Sequence, residues 1–325
     1  MTEIAEPSQP KKITRKKVLT RHQRRTVQFY LFILPWLIGF IFLAIFPLIV
    51  GFLTSLTNYD GLNLLNLKLV GMRNYTRAFA DPDVLFSFKR TIFWLLANLP
   101  LYLFISFAMA LILNQGIKGR GLFRTAYYLP SIVPGAAAIL AWKIILDKNN
   151  GLLNGVLSIF RPGTAIGWLS NYALEGMTMI AIWTGLGVGM VIFLAGLQGI
   201  PEELMEAARI DGAGTMQVFR HITLPLMTPV IFLQLVLGLI GSFQQLNLPL
   251  LLNNVGLTGS GAVPSRAIYL YMIHTYSQIF TFRRYGYGTA LLWMLFIVTI
   301  VVTGIVFWSQ KYWVYSDTPS EGDKR

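Results

Sequence analysis

The 325-residue chain contains no cysteine. That excludes a disulfide framework, a thiol nucleophile and a thiolate metal site. Its three histidines, His22, His221 and His274, stand far apart with no partner at metal-ligand spacing, and no Ser-His-acid grouping is legible. Neither a metal centre nor catalysis within this chain is expected. Charge is scarce as well. Asp, Glu, Lys and Arg make up 13% of the residues, about half the ~25% usual in a soluble domain, while 54% are hydrophobic. Such a chain reads as an integral membrane protein without a separate soluble domain.

What is present is a series of long apolar runs, each near the roughly 20 residues that cross ~30 Å of hydrocarbon. Six are expected, at 29–56, 91–113, 126–146, 177–200, 230–252 and 289–309. Unpaired backbone is not tolerated in lipid, and no run shows the ten-residue alternation of a barrel strand, so the fold class is all-α: a polytopic membrane protein of six transmembrane helices. The segment 1–28 is a basic cytoplasmic arm, 29–310 the transmembrane domain with a polar loop at 201–229, and 311–325 a cytoplasmic tail. The first run is too long, and lacks a small-residue cleavage site, for a secretory signal peptide.

The formal charge of +13 does not indicate nucleic acid. Eight of the 27 Lys and Arg fall within the first 25 residues, directly ahead of an apolar run, which suits anionic lipid at a cytoplasmic surface. Lys118, Arg120 and Arg124, then Arg209 and Arg220, then Lys311 fall on the same side, so both termini and the loop 201–229 are expected inside. Lys143, near the outer end of its run, is expected to snorkel.

The loop 201–229 carries its own helical pattern. Leu204, Ala207, Ala208 and Ile210 share a face, while Glu202, Glu203, Glu206 and Arg209 point away. Asp211-Gly212 supplies a helix stop, because glycine takes the left-handed conformation without steric cost. An interfacial helix lying on lipid would be rich in Lys and Arg, and this one opens on glutamates. The pattern suits docking of a soluble protein.

The spaced motif Glu206-Ala207-Ala208, Gly212, Ile222 and Leu224-Pro225 resembles the EAA signature of the integral-membrane permease subunits of binding-protein-dependent ATP-binding-cassette (ABC) importers. Asn74-Tyr75, Arg124 with Tyr128-Leu129-Pro130, and Gly151-Leu152-Leu153-Asn154 extend the resemblance over most of the chain, nearest to the sugar branch that includes the maltose permeases. The resemblance implies the type I importer (MetI-like) permease fold and a coupling helix seated in a cleft of an ATPase subunit. Glu203, Glu206, Ala207, Ala208, Asp211 and Gly212 would carry that coupling. It further implies a homologous second permease subunit, two cytoplasmic ATPase subunits holding ATP and Mg, and an extracytoplasmic solute-binding protein. The substrate would be a sugar or oligosaccharide, and the location a bacterial or archaeal cytoplasmic membrane. The segment Gly116-Ile117-Lys118-Gly119-Arg120-Gly121 lacks P-loop spacing, so hydrolysis is expected on another polypeptide.

Polar residues inside the runs mark the pathway, since each is costly in hydrocarbon unless it faces protein or water. Ser242, Gln244, Gln245 and Asn247 form the densest group, and Phe243 offers an apolar face to a pyranose ring. Ser242-Phe243-Gln244-Gln245 resembles the place where maltose-type permeases carry asparagine ligands. Amides also tie helices together, so both roles stand for Gln244, Gln245 and Asn247. Asn98 precedes Leu99-Pro100 and suits either the pathway or the carbonyl freed by proline. Trp183 is a further pathway candidate, and Gly185-x-x-x-Gly189 predicts a close helix crossing, within the chain or against a second permease. No acid falls in the expected spans, which disfavours an ion-coupled secondary transporter, and no ionisable cluster supports a membrane-embedded enzyme. Import of an amino acid or a phosphorylated polyol remains the alternative within the family.

Overall fold

The computed structural model describes residues 21–62, 67–252 and 265–316. The expected basic arm up to residue 20, the Gly- and Pro-bearing segment 253–264 and the tail from 317 lie outside them. The described residues are helical apart from connecting segments and one isolated antiparallel bridge between Thr57 and Leu69.

Two compact units divide at residue 53. In the first, α1 (Arg21–Phe40) runs through a π-turn (Ile41–Ile45) into α2 (Phe46–Ser55). A proline ring clashes with the carbonyl four residues back, which for Pro47 is that of Leu43, the middle residue of the wider turn. The same device recurs at Pro225, where the π-turn Phe219–Thr223 is centred on His221. A widened turn keeps both helices continuous past prolines that would otherwise break them.

In the second unit, the chain leaving α2 is pinned at once. The Asn74 amide donates to the carbonyls of Ser55 and Thr57, both at 2.8 Å, and the Tyr75 and Ser55 hydroxyls meet at 2.7 Å. These residues sit on α3 (Arg73–Ala80), which leads through the capping Asp81 into α4 (Pro82–Asn114). At ~1.5 Å per residue its 33 residues span about 50 Å, so α4 overshoots the hydrocarbon.

The expected third span is sharply bent. Helices α5 (Arg120–Ile132) and α6 (Gly135–Ile145) meet at a bend of 100°, because Pro134 holds the preceding Val133 in an extended conformation. Among the described residues five helices are long and apolar enough to cross a membrane singly, and six spans result when the bent pair counts as one. Lys143 on α6 does not snorkel freely; its Nζ donates to the Leu251 carbonyl at 3.0 Å.

After α7 (Leu152–Phe160) the buried Asn154 uses its whole amide. Its Nδ2 donates to the Lys148 and Ile166 carbonyls at 2.9 Å, and its Oδ1 accepts from the Trp168 indole at 2.9 Å. This clamp delivers the chain to α8 (Ala173–Gln198). Helix α9 (Glu202–Ile210) follows, then α10 (Thr215–Val218), which passes through the π-turn into α11 (Leu224–Phe243). The expected fifth span thus starts earlier and breaks at Gln244, with the short α12 (Asn247–Leu252) beyond. Helix α13 (Tyr271–Tyr276) and the long α14 (Tyr285–Trp313) complete the unit.

Helices α4 and α8 form its axis. Trp94 of α4 packs with Met177 of α8 at the end remote from α9, whereas Ala110 and Leu113 pack with Met190 and Phe193 at the near end. Glycines permit this closeness. A Cβ on Gly189 would lie 2.5 Å from the Tyr102 hydroxyl of α4, and one on Gly187 would lie 2.5 Å from the Tyr127 carbonyl and 2.8 Å from Tyr128 Cα of α5. The glycine crossing anticipated in the sequence is made within this chain.

Gly187→Ala should therefore cost about 1–3 kcal/mol through overpacking against backbone, despite the better helix propensity of alanine. Gly304→Ala, which meets nothing within 4 Å, should hold or raise stability. Thermal unfolding in detergent, followed by tryptophan fluorescence, checks the opposite signs.

Candidate functional site

Two features stand apart from the packing: a cavity inside the helix bundle with a few polar groups in its wall, and an exposed helix at one end.

The cavity, of about 490 Å³, lies between α4, α8, α11 and α12. Its wall on α4 is built by helical spacing, since Trp94, Asn98 and Tyr102 are four residues apart and so share a face. Ser106 continues the stripe beneath Gly189. Thr184 of α8, Gln234 and Ser242 of α11, and Gln245 and Asn247 at the helix break complete the polar lining. None of the lining residues is acidic or basic. Gln234 is 3% exposed and donates weakly to the Gly189 carbonyl at 3.4 Å. Asn98 Oδ1 and Trp94 Nε1 are buried with no hydrogen-bond partner among the described residues. Leaving such groups unpaired normally costs ~1–3 kcal/mol each, and both belong to residues that line the cavity.

The six candidate pathway residues separate into two sets. Asn98, Gln245 and Asn247 line the cavity together. Gln244 does not: at the end of α11 it faces a groove beside Phe296 and Thr299 of α14. Phe243 is 1% exposed and packed among Leu239, Tyr271 and Leu291, so its ring offers no free face. Trp183 stacks edge to face on Trp142 at 5.7 Å, while its neighbours Ala181 and Thr184 reach the cavity. Sequence reasoning missed Trp94, Tyr102 and Gln234. The four-residue spacing on α4 and the lone amide in the apolar run around Gln234 were the available signals.

The second feature is α9. Its end is a Schellman motif: Ala213 N–H donates to the Ala208 carbonyl at 2.9 Å, Gly212 N–H to that of Arg209 at 3.1 Å, and Gly212 has φ +84°. No side chain of α9 is buried. Glu203, Glu206, Ala207, Asp211 and Gly212 are exposed and Ala208 half-buried, beside an Ile210 that is 86% exposed. A nine-residue helix this bare owes its shape to its capped end and anchored flanks. On one flank, with its amide turned to satisfy both cations, the Gln198 oxygen accepts from Arg124 at 2.8 Å and from Arg120. The arginines thereby secure the end of α8, where the negative pole of the helix favours them. The other flank is the helix α10–α11, which runs without interruption from the loop to the break at Gln244 beside the cavity.

Residues 88–314, which include both features, match the family described as binding-protein-dependent transport system inner membrane component. The chain is 33% identical to the probable ABC transporter permease protein YesP of Bacillus subtilis, over 90% of this chain and 93% of that one. It is 30% identical to the arabinooligosaccharides transport system permease protein AraP of the same organism, over 84% and 85%, and 30% identical to the trehalose/maltose transport system permease protein MalF of Thermococcus litoralis, over 84% and 90%. Among solved structures, a bacterial ABC transporter involved in the import of the acidic polysaccharide alginate shares the fold, with TM-score 0.71 at 21% identity over 89% of this chain and 96% of that one. The chain belongs to the family of inner-membrane permease components of binding-protein-dependent transport systems.

Proposed function

We propose that this chain forms half of the translocation pathway of an ABC importer for a neutral sugar or oligosaccharide. The observation that carries the solute class is the lining of the cavity: a few amides, hydroxyls and an indole set among apolar side chains such as Ile139, Ile180 and Leu237, with no acidic or basic side chain. Amides donate and accept at once, as sugar hydroxyls require. A phosphorylated polyol would call for a cation in that lining, and an ion-coupled carrier for a carboxylate. Relatives named for arabinooligosaccharides, starch degradation products and trehalose/maltose support the same class.

The other half of the pathway comes from a homologous permease, and an extracytoplasmic binding protein delivers the solute. Two ATPase subunits, holding ATP and Mg, grip α9 of each permease from the cytoplasm, so both termini lie inside. Glu203, Glu206 and Asp211 present charge to that partner, while Ala207 and Ala208 allow close approach. Closure of the ATPases moves α9, and the continuous α10–α11 carries the movement to Gln234 and Ser242, which line the cavity on α11. Nucleotide and loaded binding protein thereby favour different states of one bistable bundle.

Two outcomes follow. In the reconstituted complex, Gly212→Val, strained by roughly 1–2 kcal/mol at its left-handed backbone, and Glu206→Trp should each lower solute-stimulated ATP hydrolysis at least tenfold while insertion and assembly persist; undiminished hydrolysis in both variants refutes the coupling role. In proteoliposomes, Asn98→Leu and Gln245→Leu should each weaken uptake at low solute by about 5- to 30-fold, as expected for ~1–2 kcal/mol per lost hydrogen bond. Gln244→Leu, on the opposite face, should leave uptake within twofold. Equal effects at Gln244 and Gln245 would move the pathway elsewhere.

A further inference from the structure

A second concavity, of about 670 Å³, lies at the end of the molecule remote from α9 and shares no lining residue with the pathway cavity. Four arginines, Arg73, Arg77, Arg283 and Arg284, line it against one carboxylate, that of Asp60, together with Tyr59 and Tyr287. Its walls are fixed. Arg73 and Arg77 lie one turn apart on α3, which Asn74 and Tyr75 clamp to the chain leaving α2. Arg283 and Arg284 sit on the turn entering α14, held by Phe282 N–H on the Ser277 carbonyl at 2.9 Å, Arg284 N–H on that of Gln278 at 2.8 Å, and Gly286 N–H on that of Tyr59 at 2.9 Å.

Arg283 has φ +52°, and no other non-glycine described residue has positive φ. Glycine would take this conformation without cost, whereas an arginine there carries a strain of about 1–2 kcal/mol. The guanidinium of Arg77 lies over the Tyr287 ring at 4.7 Å, and that of Arg284 donates to Gln278 at 3.4 Å. For Arg73 and Arg283 no side-chain hydrogen bond or ion pair is formed among the described residues, and all four arginines are exposed. Forked donors of one sign converging on a rigid hollow are complementary to carboxylates.

We infer that this hollow is a docking socket for acidic side chains of the extracytoplasmic binding protein. The inference rests on the importer reading above, which places the hollow on the outer face. The solute is not its occupant, since the cavity it must enter next holds no cation to receive an anion. Four guanidinia also exceed what one sugar carboxylate engages. A basic socket facing an acidic protein surface steers encounter, and the effect weakens as salt screens it.

The test uses the complete transporter in nanodiscs with its own solute-loaded binding protein, and reads the binding-protein concentration that half-saturates ATP hydrolysis at low and high salt. Arg73→Glu combined with Arg77→Glu should raise that concentration at least tenfold at low salt and flatten its salt dependence, with the saturated rate retained. Arg73→Lys with Arg77→Lys should stay within about threefold of the parent. Arg283→Gly, which relieves backbone strain while deleting a charge, should unfold no earlier than the parent yet need more binding protein, an outcome that misfolding does not produce. Unchanged half-saturation and salt dependence in the glutamate variants overturn the socket. So does a requirement that follows anionic lipid content instead, or a defect seen only in uptake of an acidic solute with docking intact. A parent complex that its binding protein never stimulates would defeat the importer reading itself, whereas a stimulated parent with indifferent arginine variants defeats the socket alone.

Discussion

The structure depends first on how closely α8 can approach α4 and α5. Gly187 and Gly189 leave no room for a Cβ against the Tyr127 backbone and the Tyr102 hydroxyl, so both crossings are set by missing side chains. In hydrocarbon there is little hydrophobic gain from helix association, and van der Waals contact between closely spaced backbones takes its place. The polar stripe of α4 can then face a shared cavity rather than lipid. The end of α8, fixed by Arg120 and Arg124 through Gln198, in turn determines where α9 begins.

Polar groups inside the bundle follow a division of labour. Asn154 and Asn74 spend their amides on carbonyls of the connecting chain, and Lys143 does the same for the end of α12. These are structural contacts, and they account for two of the motifs that carry the family resemblance. Asn98 Oδ1 and Trp94 Nε1 find no partner among the described residues. Unsatisfied groups of this kind persist where a ligand or water completes them.

Continuity past prolines links the two ends. The π-turn ahead of Pro225 lets α10 and α11 act as one rod, while Pro134, with no such turn before it, splits α5 from α6 by 100°. The rod ends where Gln244 and Gln245 diverge, one toward α14 and one toward the cavity. The rod itself carries Gln234, Gly238 and Ser242 of the cavity lining, so one continuous element joins the end that follows α9 to the cavity.

Composition and apolar run length alone determined the membrane class and the all-helical fold, because unpaired backbone is excluded from lipid whatever the neighbours. Asp211-Gly212 likewise announced its own helix stop, since the left-handed preference of glycine is local. The α4 stripe and Gln234 were legible by spacing and isolation, though the denser amides near residue 244 drew the reading away from them. Only the tertiary structure decided which of two adjacent glutamines meets the cavity, that Phe243 is buried, that Trp183 turns to Trp142, and that the third span bends. Those outcomes depend on how each helix is rotated against its neighbours and where a break resets that rotation, and a one-residue step turns a side chain by about 100° on a 3.6-residue helix.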